Sequence, residues 1–216
     1  MRPVCYVFGA GTRPGHPPRI KAGDMVIAAD GGYLYTLEAG IHADVLIGDF
    51  DSLDGICELE AAAPVVLRLP KEKDQTDTFA ALAYGLERGF KAFHVYGGTG
   101  GRLDHTLANI QCLAYLLGNG ARGYLHDGSA VVTAARTEIN LAPRDDGIIS
   151  VFALGGALEG VYLRGLKYGL ENATLTTDFP LGVSNEFIGR PVSIGAERGD
   201  MLVVYPEGTI ERRRGD

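Results

Sequence analysis

The chain has 216 residues, 31 of them glycine and 10 proline, a glycine share roughly twice the usual one. With 46% hydrophobic and 22% charged residues and no Gly-X-Y period, the composition excludes collagen-like, low-complexity and disordered chains. A net charge of −7 and a pI near 5.2 lack the basic footprint that phosphate backbones require, so no nucleic-acid partner is expected.

Apolar, β-rich runs at residues 4–8, 25–29, 45–47, 65–69 and 93–96 predict strands. Helical spacing lies between them. One helix begins near Thr76, with Phe79, Leu82, Ala83 and Leu86 three and four residues apart, and stops at Gly89. A second follows Gly101, with Leu103, Leu107, Ile110, Ala114 and Leu117 on one face, and ends at Gly118-Asn119-Gly120. Strands alternating with helices imply βαβ units and a mostly parallel sheet. After about Gly128 the pattern changes to short strands at 131–133, 148–152, 161–163, 173–176, 192–194 and 201–205, separated by Gly, Pro, Asn and Asp. That spacing is the mark of an antiparallel sandwich or barrel. The expected fold is therefore an α/β N-terminal domain over residues 1–127, followed by an all-β C-terminal sandwich over 128–216. Residues 123–126 remain open as a last strand of the first sheet.

Cys5, Cys57 and Cys112 are odd in number and widely spaced, which reads as small buried hydrophobes in a reducing compartment. The first apolar run is too short for a membrane span and no signal-peptide pattern follows it. A cytoplasmic protein with no membrane partner is the expectation.

The carboxylates are placed more tellingly than their number suggests. Asp30 closes the second run and precedes Gly31-Gly32, Asp49 and Asp51 follow the third, and Asp74 and Asp77 follow the fourth. Asp104 comes after the fifth run and the loop Gly97-Gly98-Thr99-Gly100-Gly101. In an open parallel sheet all these positions share the carboxyl edge, where ligands bind. Negative charges gathered there need protons or a cation to compensate them, and oxygen-only donors suit Mg²⁺ bridging to phosphates. Helix capping competes as an explanation. Asp51 or Ser52 could cap a helix beginning at Leu53, and Asp74 could cap the next, with Asp77 completing a capping box. Capping leaves unexplained the pair Asp49 and Asp51 two residues apart, so a metal–phosphate site is the stronger reading.

The 97–101 loop can bring backbone N–H groups to phosphate oxygens, and Arg102 adds a charged donor. Residues 9–15 do not form the dinucleotide fingerprint, and no Walker A sequence is present. His94 and His105 show no partner pattern for a metal.

Asp30-Gly31-Gly32, Ile47-Gly48-Asp49-Phe50-Asp51-Ser52, Lys73-Asp74-Gln75-Thr76-Asp77 and Gly97 through His105, in this order and spacing, resemble the thiamine pyrophosphokinase family. Leu166-Lys167-Tyr168 and Gly182-Val183-Ser184-Asn185-Glu186 extend the resemblance over nearly the whole chain. It implies a homodimer with sites between protomers, and transfer of the diphosphate of ATP to the hydroxyl of thiamine. It implies that Asp49, Asp51 and Asp77 hold Mg²⁺ with Asp30 close by, and that Asp74 serves the metal or orients the hydroxyl. Asp49, Asp51, Asp74 and Asp77 are thus the catalytic candidates. Asp30, Gly98, Thr99, Gly100, Arg102 and Asp104 are the ATP-binding candidates, with Lys73 a further phosphate contact. Ser184 and Asn185 would hydrogen-bond the aminopyrimidine of thiamine, and in a chain without tryptophan Phe187 or Tyr168 would cover its ring. A metal-dependent phosphohydrolase, a glycosyltransferase using Asp49-Phe50-Asp51, and a non-catalytic nucleotide-binding module are the competing readings.

Overall fold

The computed structural model describes residues 2–50, 63–72 and 74–212, and the chain divides into two compact units, 1–128 and 129–216. It is mostly sheet, with three helices among the described residues. No helix among them is long and apolar enough to cross a membrane.

In the first unit six strands form parallel ladders: β1 (Cys5–Phe8), β2 (Met25–Ala29), β3 (Val45–Gly48), β4 (Val65–Arg68), β5 (Ala92–Tyr96) and β6 (Arg122–His126). Their order is β6-β5-β1-β2-β3-β4. From β1 the chain moves outward through β2, β3 and β4, then returns to the other side of β1 for β5 and β6. The winding therefore reverses between β1 and β5. At such a switch point the flanking connections leave in opposite directions at the carboxyl ends of the strands, where open parallel sheets bind ligands. Residues 123–126 pair in parallel with β5 and so belong to this sheet.

Alternation along the strands sends side chains to two faces. Helices α2 (Asp77–Glu87) and α3 (Leu103–Gly118) lie on the face of Cys5, Phe93 and Gly123. The opposite face carries Tyr6, Phe8 and Tyr96, packed with Tyr33 and Tyr35 of α1 (Gly32–Glu38) in one buried cluster. The Phe8 ring meets Tyr35 edge-on at 5.1 Å and stacks with Tyr96 at 5.5 Å. At the amino ends of the strands two carboxylates tie down main chain. Asp24 accepts from the Val4 and Lys21 N–H groups, and Asp44 accepts from Val26 N–H at 2.8 Å.

The helices start and stop where the spacing places them, but their buried faces are rotated from the predicted ones. The Thr76 hydroxyl accepts from Phe79 N–H at 3.1 Å and caps α2, and Gly89 follows its end with a φ of 84°. Ala81, Leu82 and Gly85 are the buried positions of α2; Asn109, Cys112, Leu113 and Leu116 are those of α3. Leu103 and Leu107, expected on the core face, are 71% and 55% exposed. Helix α1 escapes prediction because it starts on Gly31 with no side-chain cap. The expected helix from Leu53 lies outside the described residues.

The second unit is antiparallel, in the order β14-β8-β12-β9-β13-β7. These are β7 (Ala130–Ala135), β8 (Ile139–Leu141), β9 (Ile148–Arg164), β12 (Val192–Gly195), β13 (Arg198–Pro206) and β14 (Glu211–Arg212). Two further strands, β10 (Leu170–Leu175) and β11 (Asn185–Glu186), also pair with β9. The two strands expected at 148–152 and 161–163 are one strand of 17 residues. Gly155 and Gly160, at φ 75° and 65°, take up the irregularity in its pairing with β13 that the sequence pattern reads as a turn.

The loops after β1 and β5 are joined main chain to main chain. Gly11 N–H donates to the Gly97 carbonyl at 2.7 Å, and Thr12 N–H to the Thr99 carbonyl at 2.6 Å. A methyl on Gly97 would stand 2.2 Å from the Gly9 carbonyl oxygen, and Gly97 has a φ of 65°. Gly97→Ala is expected to cost about 2 kcal/mol or more in urea unfolding, and an unchanged midpoint would contradict this packing.

Candidate functional site

The carboxyl edge of the first sheet is built connection by connection. After β2, Asp30 takes a left-handed φ of 47° while its N–H continues the ladder to the Ile47 carbonyl at 2.8 Å. Gly32 follows because the start of α1 passes over the end of β1; a methyl there would lie 1.9 Å from the Phe8 carbonyl oxygen. Gly32 thus has a packing reason of its own. After β3, Gly48 lies against Asp30, whose Cα and Cβ a methyl on Gly48 would meet at 3.1 Å. Half-buried Asp49 comes next, then Phe50, at φ 61° and 5% exposed, with the Arg68 guanidinium 5.5 Å from its ring centroid. Anchored Phe50 fixes the backbone between Asp49 and Asp51, and Asp51 itself lies outside the described residues. Three left-handed non-glycine residues, Asp30, Phe50 and Ser184, fall within the motifs singled out from sequence, the kind of backbone strain that collects at functional sites.

After β4, Asp74 is exposed and Asp77 is half-buried in the first turn of α2. Thr76 supplies the cap, so the capping alternative for Asp74 does not hold. Lys73 lies outside the described residues. The structure places Asp30 beside the Gly48–Asp49 step and Asp74 and Asp77 on the following connection. Among the described residues no three His, Cys, Asp or Glu side chains converge as a metal cluster. The donors at this edge are carboxylate oxygens, a set that fits a hard divalent cation.

The glycine loop is clamped from both sides. Its outer contacts are the hydrogen bonds to Gly11 and Thr12; on the inner side the Asn109 amide, 6% exposed, donates to the Gly98 carbonyl at 2.7 Å. The Thr99 hydroxyl oxygen is buried and has no hydrogen-bond partner among the described residues. Gly100 and Gly101 follow at φ 78° and 65° and lead into α3. Arg102 and Asp104 are exposed and paired with each other through two hydrogen bonds, of 3.2 and 2.6 Å. That bond to the guanidinium holds the Asp104 carboxyl down at about 2, against an ordinary 3.8.

In the second unit the two expected segments are stitched together. Leu166 bridges to Phe187, Lys167 N–H donates to the Glu186 carbonyl, and the Lys167 ammonium pairs with Glu186 at 2.7 Å. Asn185, 4% exposed, accepts from Tyr168 N–H at 2.9 Å and donates to the Tyr168 carbonyl at 2.6 Å. Both ends of its amide thus hydrogen-bond the Tyr168 main chain. Exposed Ser184 has a φ of 59°, its N–H donating to the Ser150 hydroxyl at 3.1 Å. Phe187 is enclosed at 3% exposure, while Tyr168 is 56% exposed beneath the Lys167 ammonium.

Three features escaped the sequence. Asn109 is one: its signal is a polar residue on the buried side of a helix that follows a glycine loop. The second is a pair of imidazoles, with His94 Nδ1 2.8 Å from His126 Nε2 and Tyr96 and Tyr124 stacked on them. The register of β5 and β6 sets His94 opposite Tyr124 and Tyr96 opposite His126, which makes the two imidazoles diagonal neighbours on one face. The third is a cavity of about 860 Å³ between α2 and α3, walled by Phe79 and Tyr115 and bordered by Asp74. Cys112 also lines it. Burial pushes the Cys112 thiol up to about 11 and the Cys5 thiol to about 12, so both are inert small hydrophobes.

Comparison with known proteins gives a single family. Residues 18–125 match the model of the thiamin pyrophosphokinase catalytic domain, and residues 136–199 that of its vitamin B1 binding domain. Thiamine pyrophosphokinase of Bacillus subtilis is 31% identical over 82% of this chain and 85% of its own length. Its crystal structure superposes with a TM-score of 0.84 at 28% identity, covering 95% of this chain and 99% of that one. A family protein from Enterococcus faecalis gives 0.80 at 28% identity, with the same coverage of both chains.

Asn109→Leu leaves the buried Gly98 carbonyl without its donor and is expected to cost about 1–3 kcal/mol, read as a lowered thermal midpoint. An unchanged midpoint would show that the clamp holds nothing. Carboxyl-carbon NMR should place the Asp104 titration at about 2. Its folded value is depressed, so the pair's contribution is complete above the ordinary carboxyl range and fades as pH falls towards that value. In Arg102→Ala the titration should return towards 3.8; no movement would assign the shift to another group.

Proposed function

Because the chain belongs to the thiamin pyrophosphokinase family, we propose that it transfers the terminal diphosphate of ATP to the primary hydroxyl of thiamine, giving thiamine diphosphate and AMP. The observation that carries this reading is the carboxyl edge of the parallel sheet. There Asp30, Asp49, Asp74 and Asp77 follow successive strands, beside two glycine loops joined at the switch point.

The thiamine hydroxyl attacks the β-phosphorus in line. A bond forms from the hydroxyl oxygen to that phosphorus, and the bond from phosphorus to the α–β bridging oxygen breaks. AMP leaves with the bridging oxygen. The hydroxyl proton passes to a carboxylate of this edge, and Asp74 and Asp77 are the candidates. Little covalent chemistry is asked of the protein, so positioning and charge neutralisation supply most of the rate. Asp49 and Asp77, with Asp51, would hold Mg²⁺. When bound, that ion neutralises phosphate charge as it develops. The 97–101 loop, fixed by Asn109 and Gly11, presents main chain to the nucleotide phosphates, and Arg102 turns from Asp104 to phosphate when the nucleotide enters.

We assign the α/β domain, residues 1–127, to nucleotide and metal, and the remainder, 128–216, to a β-sandwich domain serving thiamine. Ser184 faces the aminopyrimidine; Asn185 acts behind it, shaping the Tyr168 segment. A cytoplasmic homodimer completes the proposal. It is supported by the free thiols of Cys5 and Cys112 and by the exposed apolar side chains of Leu103 and Leu107, and sedimentation velocity reads the assembly directly.

With Mg²⁺, ATP and thiamine, the protein should form AMP and thiamine diphosphate in equal amounts. ADP with thiamine monophosphate, or phosphate release independent of thiamine, would refute the proposed transfer. Asp49→Asn and Asp77→Asn are expected to lower kcat about 100-fold or more without loss of thermal stability. Near-normal turnover in both would remove them from the metal site.

A further inference from the structure

His94 on β5 and His126 on β6 are a titratable pair that the transfer chemistry leaves unused. His126 is buried, at 6% exposure, and His94 is half-buried. Nδ1 of His94 and Nε2 of His126 stand 2.8 Å apart, while the ring centroids are 5.1 Å apart and the planes inclined by 19°. The rings therefore meet edge to edge, each aiming a nitrogen at the other. A metal ion held between opposed nitrogens would need about 4 Å, whereas this gap fits one proton. Whichever tautomer each ring takes, one nitrogen donates and the other accepts.

The pair stands beside the root of the 97–101 loop. Tyr96 lies flat on His126, with centroids 4.4 Å apart and planes at 2°, and also stacks with Phe8 at 5.5 Å. The Tyr96 carbonyl accepts from Gly9 N–H at 2.8 Å, and Gly97 follows at once. The bond from His94 fixes the His126 ring, that ring supports Tyr96, and Tyr96 sets where the loop leaves the sheet.

From β1, Tyr6 faces His94 at 5.6 Å between centroids. From β6, Tyr124 faces it at 4.8 Å, with the Arg122 guanidinium 5.3 Å from the Tyr124 ring. Tyr33 and Tyr35 of α1 share the cluster of Tyr6 and Tyr96, and Asp127 follows His126 in the chain. Burial and then the Asp24 carboxylate push the Tyr6 phenol up. A first proton strengthens the bond between the imidazoles by making it charge-assisted. A second sets N–H against N–H and two cations side by side, on the sheet face that already holds Arg122, and the bond is lost. The bond thus exists at neutral and alkaline pH and disappears as pH falls through uptake of the second proton.

We propose that His94 and His126 are positioning residues for the nucleotide loop, acting as one unit that holds Tyr96 while at most one of them is charged. They act through Tyr96 and touch no reacting atom. The assignment rests on the transfer reaction proposed above, in which the 97–101 loop serves ATP.

The test is calorimetric titration with ATP and Mg²⁺, without thiamine, of wild type, His94→Phe and His126→Phe at about pH 8 and about pH 5. Each variant keeps a flat ring on the sheet and removes the bond independently of the other. Protonation of ATP itself cancels in the ratio of variant to wild type. The expected result is ATP binding about threefold to tenfold weaker in the variants at the alkaline pH. At the acid pH the variants should come within about twofold of wild type, which has then lost the bond too. A ratio that stays the same at both pH values would mark a merely structural role and overturn the proposal, as would variants equal to wild type throughout. A second measurement needs no variant: long-range ¹⁵N–¹H NMR of the wild-type imidazoles at about pH 8 should find one facing nitrogen protonated and the other bare. Both facing nitrogens in the same state, or a wild type that does not bind ATP, overturns it as well. Converging ratios in a protein that forms no thiamine diphosphate would refute the transfer reaction and leave the pair standing. Transfer with a constant ratio would do the reverse.

Discussion

The architecture of the first unit depends on a close approach of main chain to main chain at the switch point of its sheet. Residues 9–12 and 97–101 leave neighbouring strands whose connections run opposite ways, and they meet through carbonyl–amide bonds with no side chain between them. Each bond contributes about 0.5–1.5 kcal/mol, a modest sum. The geometric effect is larger. Loops that would otherwise diverge become one floor, and at Gly9, Gly11 and Gly97 a side chain would strike the facing main chain. Asn109 reaches the same floor from beneath, so the peptide groups facing outward are fixed before any ligand arrives. A polyanion bound there meets donors that need not reorganise, the condition under which electrostatic stabilisation is strongest.

The two ends of the sheet use carboxylates differently. At the amino edge Asp24 and Asp44 take up N–H groups that the strand ladders leave over, which is structural work. At the carboxyl edge capping falls to Thr76, and the aspartates follow strand after strand along one rim. This division separates acidic residues that take up main-chain N–H groups from those that leave capping to a neighbour. It could not be drawn from sequence, where both kinds of aspartate border an apolar run.

What was legible followed from local rules. Parallel strands show as short apolar runs buried on both faces, and a ligand edge follows from where those runs end. The capped start of α2 and its glycine stop were equally plain. Features set by tertiary contact were not. The faces of α2 and α3 turn so that Asn109 and Gly85 point inward while Leu103 and Leu107 remain outside, contrary to the simple apolar stripe. Gly155 reads as a turn but sits inside a continuous strand, because neighbouring strands hold it there. Asn185, a thiamine-ligand candidate by sequence, places both ends of its amide against the Tyr168 main chain, a direction the sequence does not show. In each case the residue type was informative and its direction was not.

The long strand β9 has a consequence for how the chain is made. Four strands pair with it directly, β10 to β13, and all of them come later in the sequence. The ladders that secure β9 along its length end with residues 192–206, synthesised well after β9 itself. The first unit completes its parallel sheet by residue 126 and can consolidate while synthesis continues. The second cannot; apart from its pairing with β10, its spine keeps unpaired edges until β12 and β13 emerge. Completion of this half therefore waits on β13, and removal of residues 198–206 would take away its central pairing.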